Sequence, residues 1–515
     1  MVRNRNTTLA FTVFVLFALS GPAGAFGFDD VTTKAKALAG EDYKAPEPVP
    51  DFLQNLGYEQ YQSIRFRPEA SLWRGGRSRF RVMMMPTGSF YRHPVALNVI
   101  DSEGVHPLGF DKTLFDYPST ELAKRVPADL GYAGFKLTYP LADPEVYNQF
   151  LVFGGASYFR GVGAGQRFGL SARGIAIDTG LASGEEFPVF REFWLERPKA
   201  GSDSMVVYGL LDGPSLTGAY RFEVQPGKVL KLDVSARLFF RAEVDQLGLA
   251  PLTSMFYYGE NTLRPRGQWR PQVHDSDGLL IHDQESGEWL WRPLLNPAQL
   301  ELAFHQVRTL GGFGLIQRDR EFARFEDSEA RYDLRPSAWI EPGEDWGNGE
   351  VVLVQIPTDS EVNDNIVAFW KPRQQVAAGD SRYLTYSLTF GPPDISGNPL
   401  GQAGRTFVGD GAQPGGGEVE GAYRFIVDFQ GGAMDRLDRN AAVVSEVSVS
   451  GEGEIIEHFA EYIEARHGWR LSVLARPEDG KRLALRGSLS ADGKPVSETW
   501  TYQLGPATGL RQQQQ

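Results

Sequence analysis

A chain of 515 residues is too long for one ordinary domain of roughly 100–200 residues, and it points to two or three, or to an oversized β-sandwich with a smaller companion. Its 65 acidic residues outnumber 52 basic ones, for a net charge of −13. That balance argues against nucleic acid and anionic membrane surfaces, which need a basic footprint, and is compatible with a neutral partner such as a sugar. Cysteine is absent, which rules out disulfides, thiol catalysis and thiolate metal sites.

The chain opens on a targeting segment, residues 1–25. Arg3 and Arg5 form a positive start. Leu9 to Leu19 is an apolar run of about eleven residues, right for a secretory core and short of the roughly twenty that span a bilayer. Ala23-Gly24-Ala25 is a small-x-small cleavage site, so the mature chain is expected to begin at Phe26. No twin-arginine pair is present, which favours the general secretory route. A soluble protein exported to the periplasm follows, with no membrane insertion of the mature chain.

FDDVTTKAKALAG reads as a helix capped at Asp29 or Asp30 and stopped at Gly40. A Pro-rich spacer and another short helix, Phe52–Tyr61, come next. From Ile64 the texture changes to many short alternating segments bounded by Gly, Pro, Asn and Asp, the pattern of strands. One helical insert is expected at Ser119–Leu130. No βαβ alternation appears, so the reading is all-β: a large antiparallel sandwich over residues 26–391, with Tyr383–Phe390 as its last strand. Residues 392–417, dense in Gly and Pro, read as a linker. Residues 418–510 read as a smaller immunoglobulin-like sandwich. The tail RQQQQ reads as disordered.

Two acidic clusters stand out. IPTDSEVNDNIVAFWKP, Ile356 to Pro372, carries Asp359, Glu361 and Asp364 just before an apolar strand. VHDSDGLLIHD, Val273 to Asp283, carries Asp275 and Asp277. Glycoside hydrolysis needs one protonated acid and one base or nucleophile, and either cluster can supply one. Acidic residues in turns are also ordinary turn chemistry. A calcium loop fails because Gly278 follows Asp277 too early, and His274 and His282 lack zinc spacing, so no metal is expected. There is no G-x-S-x-G elbow for a serine nucleophile. Gly161-Val162-Gly163-Ala164-Gly165 departs from G-x-G-x-x-G and reads as a turn where strands approach closely. Arg160, Tyr158 and Arg173 nearby suit either a ligand or structural hydrogen bonds. Aromatic residues between and beside the clusters (Trp289, Trp291, Tyr332, Trp339, Trp346, Trp370) can stack on sugar rings or fill a core. RFEDSEARYDLRPSAW, which holds Arg335, interleaves Arg, acid and aromatic groups.

These strings resemble the periplasmic glucan biosynthesis proteins, the OpgG/OpgD (MdoG/MdoD) family. The resemblance runs through GASYFRGVGAGQRFGLSARGIAIDTGLASGEEFPVFREFWLERP, APLTSMFYYG, HDSDGL, EWLWRPLLNP, GFGLIQRDREFARFEDSEARYDLRPSAW and IPTDSEVNDNIVAFWKP. The missing twin-arginine pair resembles the G branch. The resemblance implies a carbohydrate-enzyme β-sandwich joined to an Ig-like domain. It implies a role in making osmoregulated periplasmic glucans with a β-1,2 backbone, alongside the membrane glucosyltransferase OpgH and without a cofactor. It also implies an inverting endo-glucanase or transglycosylase, or alternatively a non-catalytic glucan-binding protein. Asp364 falls on the general acid and Asp275 on the base. Tyr332 and Glu361 fall in the cleft, and Arg335, Trp339 and Trp370 are the further substrate-binding candidates. Direct inversion would set the two carboxyls roughly 6.5–9.5 Å apart, and a relay would permit more. Asp364 would need a raised pKa, from burial and from Glu361.

Overall fold

The computed structural model describes residues 26–504 except Asp345, Pro414 and Gly480; the signal segment and the tail lie outside the described residues. Strands hold 48% of residues against 11% in helices, so the chain is all-β as expected. The alternation that signals a half-buried strand is plain in Leu230–Phe240, where every second side chain turns inward.

Two large sheets face each other. A ten-stranded sheet contains Tyr158–Gly161, Ser171–Arg173, Leu247–Ser254, Ile366–Pro372 and Gly349–Gln355. A fifteen-stranded sheet contains Val189–Glu196, Leu216–Gln225, Leu230–Phe240, Ser381–Gly391, Gly278–Asp283 and Glu288–Pro293. Aromatic side chains from the two inner faces interlock, with Phe153 and Phe159 of the first sheet 5.1 and 5.4 Å from Phe222 of the second. Ile366–Pro372 is covered on both faces. Ile366, Ala368 and Trp370 enter the main core, and Val367 and Phe369 pack on Val352, Val354 and Ala176. A strand buried on both sides reads as a continuous apolar run, and IVAFW is one.

The glycine-rich turn behaves as expected. A Cβ on Gly161 would stand 2.5 Å from Leu230 Cδ2, and one on Gly163 would stand 2.2 Å from the Lys228 carbonyl oxygen. The opening helix spans Phe28–Ala39 and ends at Gly40, but Gly27 rather than Asp29 or Asp30 occupies the cap position. The Asp30 carboxylate instead reaches back to the Gly27 N–H at 2.8 Å. Val31 and Ala35 pack the helix on Trp194 and Ala219 of the large sheet. The expected insert is a short helix, Thr120–Arg125, capped by the Ser119 side chain on the Leu122 N–H.

The C-terminal unit is a sandwich fused to the larger one. Gln402–Ala412, Glu418–Gln430, Gly468–Pro477 and Gly453–Ile463 form a four-stranded sheet. Val443–Gly451, Leu483–Ala491 and Thr499–Leu504 belong to the fifteen-stranded sheet, because Thr499–Leu504 pairs in parallel with Glu288–Pro293, Trp291 opposite Trp500. A second core spans both units: Leu280, Trp291 and Trp339 pack with Phe425, Leu471 and Trp500. Residues 392–417 therefore differ from a free linker, since Gln402–Ala412 pairs along Glu418–Gln430. Gly411 serves close approach, since a Cβ there would meet the Val419 carbonyl oxygen at 2.4 Å.

Candidate functional site

Asp275 follows the two-residue strand Val273–His274, and its own N–H donates to the Met255 carbonyl at 2.8 Å. Asp364 stands two residues before Ile366–Pro372. Its neighbour Asn365 ties that turn down, accepting from the Phe256 N–H at 2.8 Å and donating to the Phe256 and Ile356 carbonyls at 3.0 Å each. Ser254 pairs with Ile366, and its hydroxyl meets that of Ser276 at 2.9 Å. The two acidic clusters, about ninety residues apart in sequence, thus converge on one end of the ten-stranded sheet.

Asp275 is 8% exposed, and its Oδ1 has no hydrogen-bond partner within the chain. Burial raises its pKa first of all; the Arg335 guanidinium opposes this, and the negative charge of Asp364 adds to it. Arg335 Nε lies 3.3 Å from Oδ1 without hydrogen-bond alignment. Asp364 pairs with Arg160 at 3.5 Å, and its side chain is 28% exposed. The burial expected of Asp364 therefore falls on Asp275 instead, since Asp364 sits at the open rim and Asp275 at the floor.

Tyr332 joins the carboxylates. It opens a 3-10 turn after Arg331, which has φ 50°. Its hydroxyl donates to Glu361 Oε2 at 3.3 Å, and the Arg335 guanidinium lies 5.3 Å from the ring. Burial, then the charges of Glu361 and Asp275, push the phenol pKa far up, so it remains a proton donor at neutral pH. Glu361 is held in turn by Arg270 at 2.7 Å, and Arg270 by Asp327 at 2.9 Å.

Five predicted site residues therefore come together: Asp275, Asp364, Glu361, Tyr332 and Arg335. Trp339 and Trp370 do not join them. Trp339 is 1% exposed and packs on Trp289, and Trp370 is fully buried in the main core. Neither ring offers a face to a sugar, because both lie on strands covered on both sides. Trp269, by contrast, is 66% exposed and adjacent in sequence to Arg270. Its position in the Gly- and Pro-rich stretch RPRGQWRP was the available signal, as an aromatic in such a loop has no core to enter. Arg270 and Gly169 were also missed. A Cβ on Gly169 would stand 2.9 Å from Arg335 Cδ and 3.3 Å from Asp275 Cγ.

His274 has Nδ1 at 3.0 Å from Gln317 and Nε2 at 3.2 Å from Gln272, so both nitrogens are engaged in side-chain contacts. Among the described residues, no group of three or more acids and histidines is placed to hold a metal. A cavity of about 980 Å³ lies at the far end of Ile366–Pro372, lined by Lys371, Arg373 and Gln374 among others. At about 3.3 Å per residue, its nearest end at Lys371 is about 23 Å from Asp364. Its acids Asp245, Asp283 and Glu350 are exposed or half-buried, and none resembles Asp275. The buried carboxylate Asp275 beside Asp364, rather than this cavity, is therefore the candidate site.

Fold and site define an all-β protein with a floor carboxylate beside Arg335, a rim carboxylate beside Arg160 and a phenol on Glu361, an arrangement suited to polyhydroxylated ligands. The sequence profile described as "Periplasmic glucan biosynthesis protein, MdoG" matches residues 26–504, and the chain belongs to that family. It is 44% identical to Glucans biosynthesis protein G of Pseudomonas paraeruginosa, over 98% of this chain and 97% of that one. The protein of the same name from Ralstonia nicotianae is 43% identical over 94% of this chain and 96% of its own. Among solved structures, the Slr1438 protein of Synechocystis sp. PCC 6803 matches at a TM-score of 0.23 and 10% identity over 50% of this chain and 92% of that one, too little to bear on the fold. No described helix is long and apolar enough to cross a membrane.

Proposed function

We propose that this protein acts in the periplasm on the β-1,2-linked backbone of osmoregulated glucans, cleaving it with inversion or transferring it to another sugar. The observation that carries this reading is the buried Asp275 Oδ1, unpartnered within the chain, with the charge of Asp364 close enough to be felt. Asp364, at the rim, protonates the glycosidic oxygen. Asp275 takes a proton from water, directly or through a relay in which Tyr332 takes part. A raised pKa makes the Asp275 carboxylate a stronger base, as such a step near neutral pH requires. Arg335 beside Asp275 and Arg160 beside Asp364 offset the two negative charges and engage sugar hydroxyls. The same site becomes a transglycosylase when a sugar hydroxyl replaces water. Export relies on the 1–25 segment with cleavage after Ala25, and the functional partner is the membrane glucosyltransferase OpgH.

Burial would equally suit Asp275 as the acid. An activated fluoride glycoside separates the two assignments, because it needs no acid: the variant that keeps activity on it lacks the acid residue. A binding-only role is favoured by one observation, the guanidinium beside each of Asp275, Asp364 and Glu361. Incubation with linear β-1,2-glucan decides. Chain shortening or transfer that is lost in Asp364→Asn supports the enzyme, binding without product supports the carrier, and absence of binding removes both.

A further inference from the structure

One three-residue segment, Gln317-Arg318-Asp319, connects the site to the C-terminal unit. Gln317 is fully buried. Its Nε2 donates to the His274 carbonyl at 3.1 Å and to the Tyr332 carbonyl at 3.2 Å. It therefore couples the turn that bears Asp275 to the turn that bears Tyr332. The Arg318 N–H donates to Asp277 Oδ2, and the Asp319 N–H donates to the same oxygen at 3.0 Å. The turn from His274 to Asp277 thus hangs on this segment at both ends.

On its other side the segment is held by C-terminal residues. The Arg318 guanidinium makes two bonds to Glu498, at 2.6 and 3.0 Å, donates to the Ala403 carbonyl at 2.8 Å and lies 3.5 Å from the Trp291 ring centroid. Glu498 has no exposure, and it also accepts from Asn398 Nδ2 at 2.7 Å and the Ala403 N–H at 2.9 Å. A second route runs in parallel. Gln272 donates to Asp319 at 2.7 Å, Arg324 joins Asp319 at 3.1 Å and also bonds Glu260, and Glu260 accepts from Arg405 Nε at 2.9 Å and the Thr406 N–H at 3.0 Å.

Apolar packing alone would hold two sandwiches together, and burying a carboxylate carries a desolvation penalty that such packing avoids. A bidentate arginine pair adds directionality, because its fork fits in one plane and one register. We propose that the C-terminal unit is a positioning element for the site, with Glu498 acting through Arg318 and Asp277 to fix Asp275 and Tyr332 relative to Asp364. Glu498 and Arg318 are positioning residues; neither approaches the reacting atoms. The activity arm of the test rests on the glucan-cleaving reading above, and the exchange arm does not.

The test uses the full chain carrying Glu498→Gln, which keeps the shape and removes the charge. The expected result on linear β-1,2-glucan is a kcat lowered about tenfold with KM within about twofold, since substrate contacts are untouched. Amide hydrogen exchange in 273–279 and 332–334 should quicken about tenfold while Leu230–Phe240 is unchanged. Arg318→Lys keeps the charge but loses the fork, and should give a smaller effect in the same segments; it carries both readouts if Glu498→Gln fails to fold. Unchanged exchange in 273–279, with quickened exchange confined to Gln402–Ala412, would overturn the inference. If the wild-type chain neither cleaves nor transfers glucan, the proposed function fails and the exchange pattern alone decides this inference.

Discussion

Burial opposes a charge on Asp275, and this has a measurable sign. Its pKa is raised in the folded chain above the ordinary 3.8, so the folded state binds that proton more readily than the unfolded state does. The stability it contributes therefore falls as pH rises from 3.8 through the folded value. Asp275→Asn should accordingly raise the thermal midpoint at pH 7, abolish turnover, and give a wild-type midpoint once pH falls below 3.8. Thermal melts across that range check the stability half. Gly169 offers a second test, because no strained backbone complicates it and only the missing side chain matters. Gly169→Ala presses on Arg335 and Asp275. It should lower kcat roughly tenfold while costing about 1–3 kcal/mol in urea unfolding, the usual range for overpacking.

The strand Ile366–Pro372 shows why aromatic residues mislead when read along a chain. Trp370 closes an uninterrupted buried run, and no side chain in IVAFW is open to solvent. Trp370→Ala should cost about 3–5 kcal/mol of stability, as for other large core truncations. Trp339→Phe, a milder core change, should lower stability and leave glucan affinity unaltered. Trp269→Ala should do the reverse, leaving stability within about 0.5 kcal/mol, as exposed substitutions generally do, while weakening glucan binding. Denaturant unfolding and calorimetric titration on the same samples separate the two classes. The acidic turns were legible because carboxylates crowded beside an apolar strand are visible in one dimension. The depth of each tryptophan was not, because it depends on what packs across the sheet.

Across the whole molecule, the shared core and the continuous sheet make the two units interdependent. Trp291 pairs with Trp500 across the parallel junction, and Leu280, Trp289 and Trp339 lose partners without the C-terminal strands. A chain ending at Gly391 should therefore expose an unpaired strand at Glu288–Pro293 and a broad apolar face, and should aggregate. Size-exclusion chromatography of that truncation checks it. The full chain should unfold in one calorimetric transition rather than two.

Composition and alternation by themselves determined that the chain is all-β, that it has a smaller C-terminal set of strands, and that two acidic turns are the candidates for chemistry. These are local properties: side-chain direction repeats every two residues, and turn chemistry lies in adjacent positions. Only the tertiary structure decided that Asp275 is the floor and Asp364 the rim, that Trp339 and Trp370 are core, and that 402–412 is a strand rather than slack. Only it joined Glu498, through Arg318, to Asp277 and so to the turn that carries Asp275. Burial and pairing between residues some two hundred positions apart are set by which sheets face each other, and no local period records that.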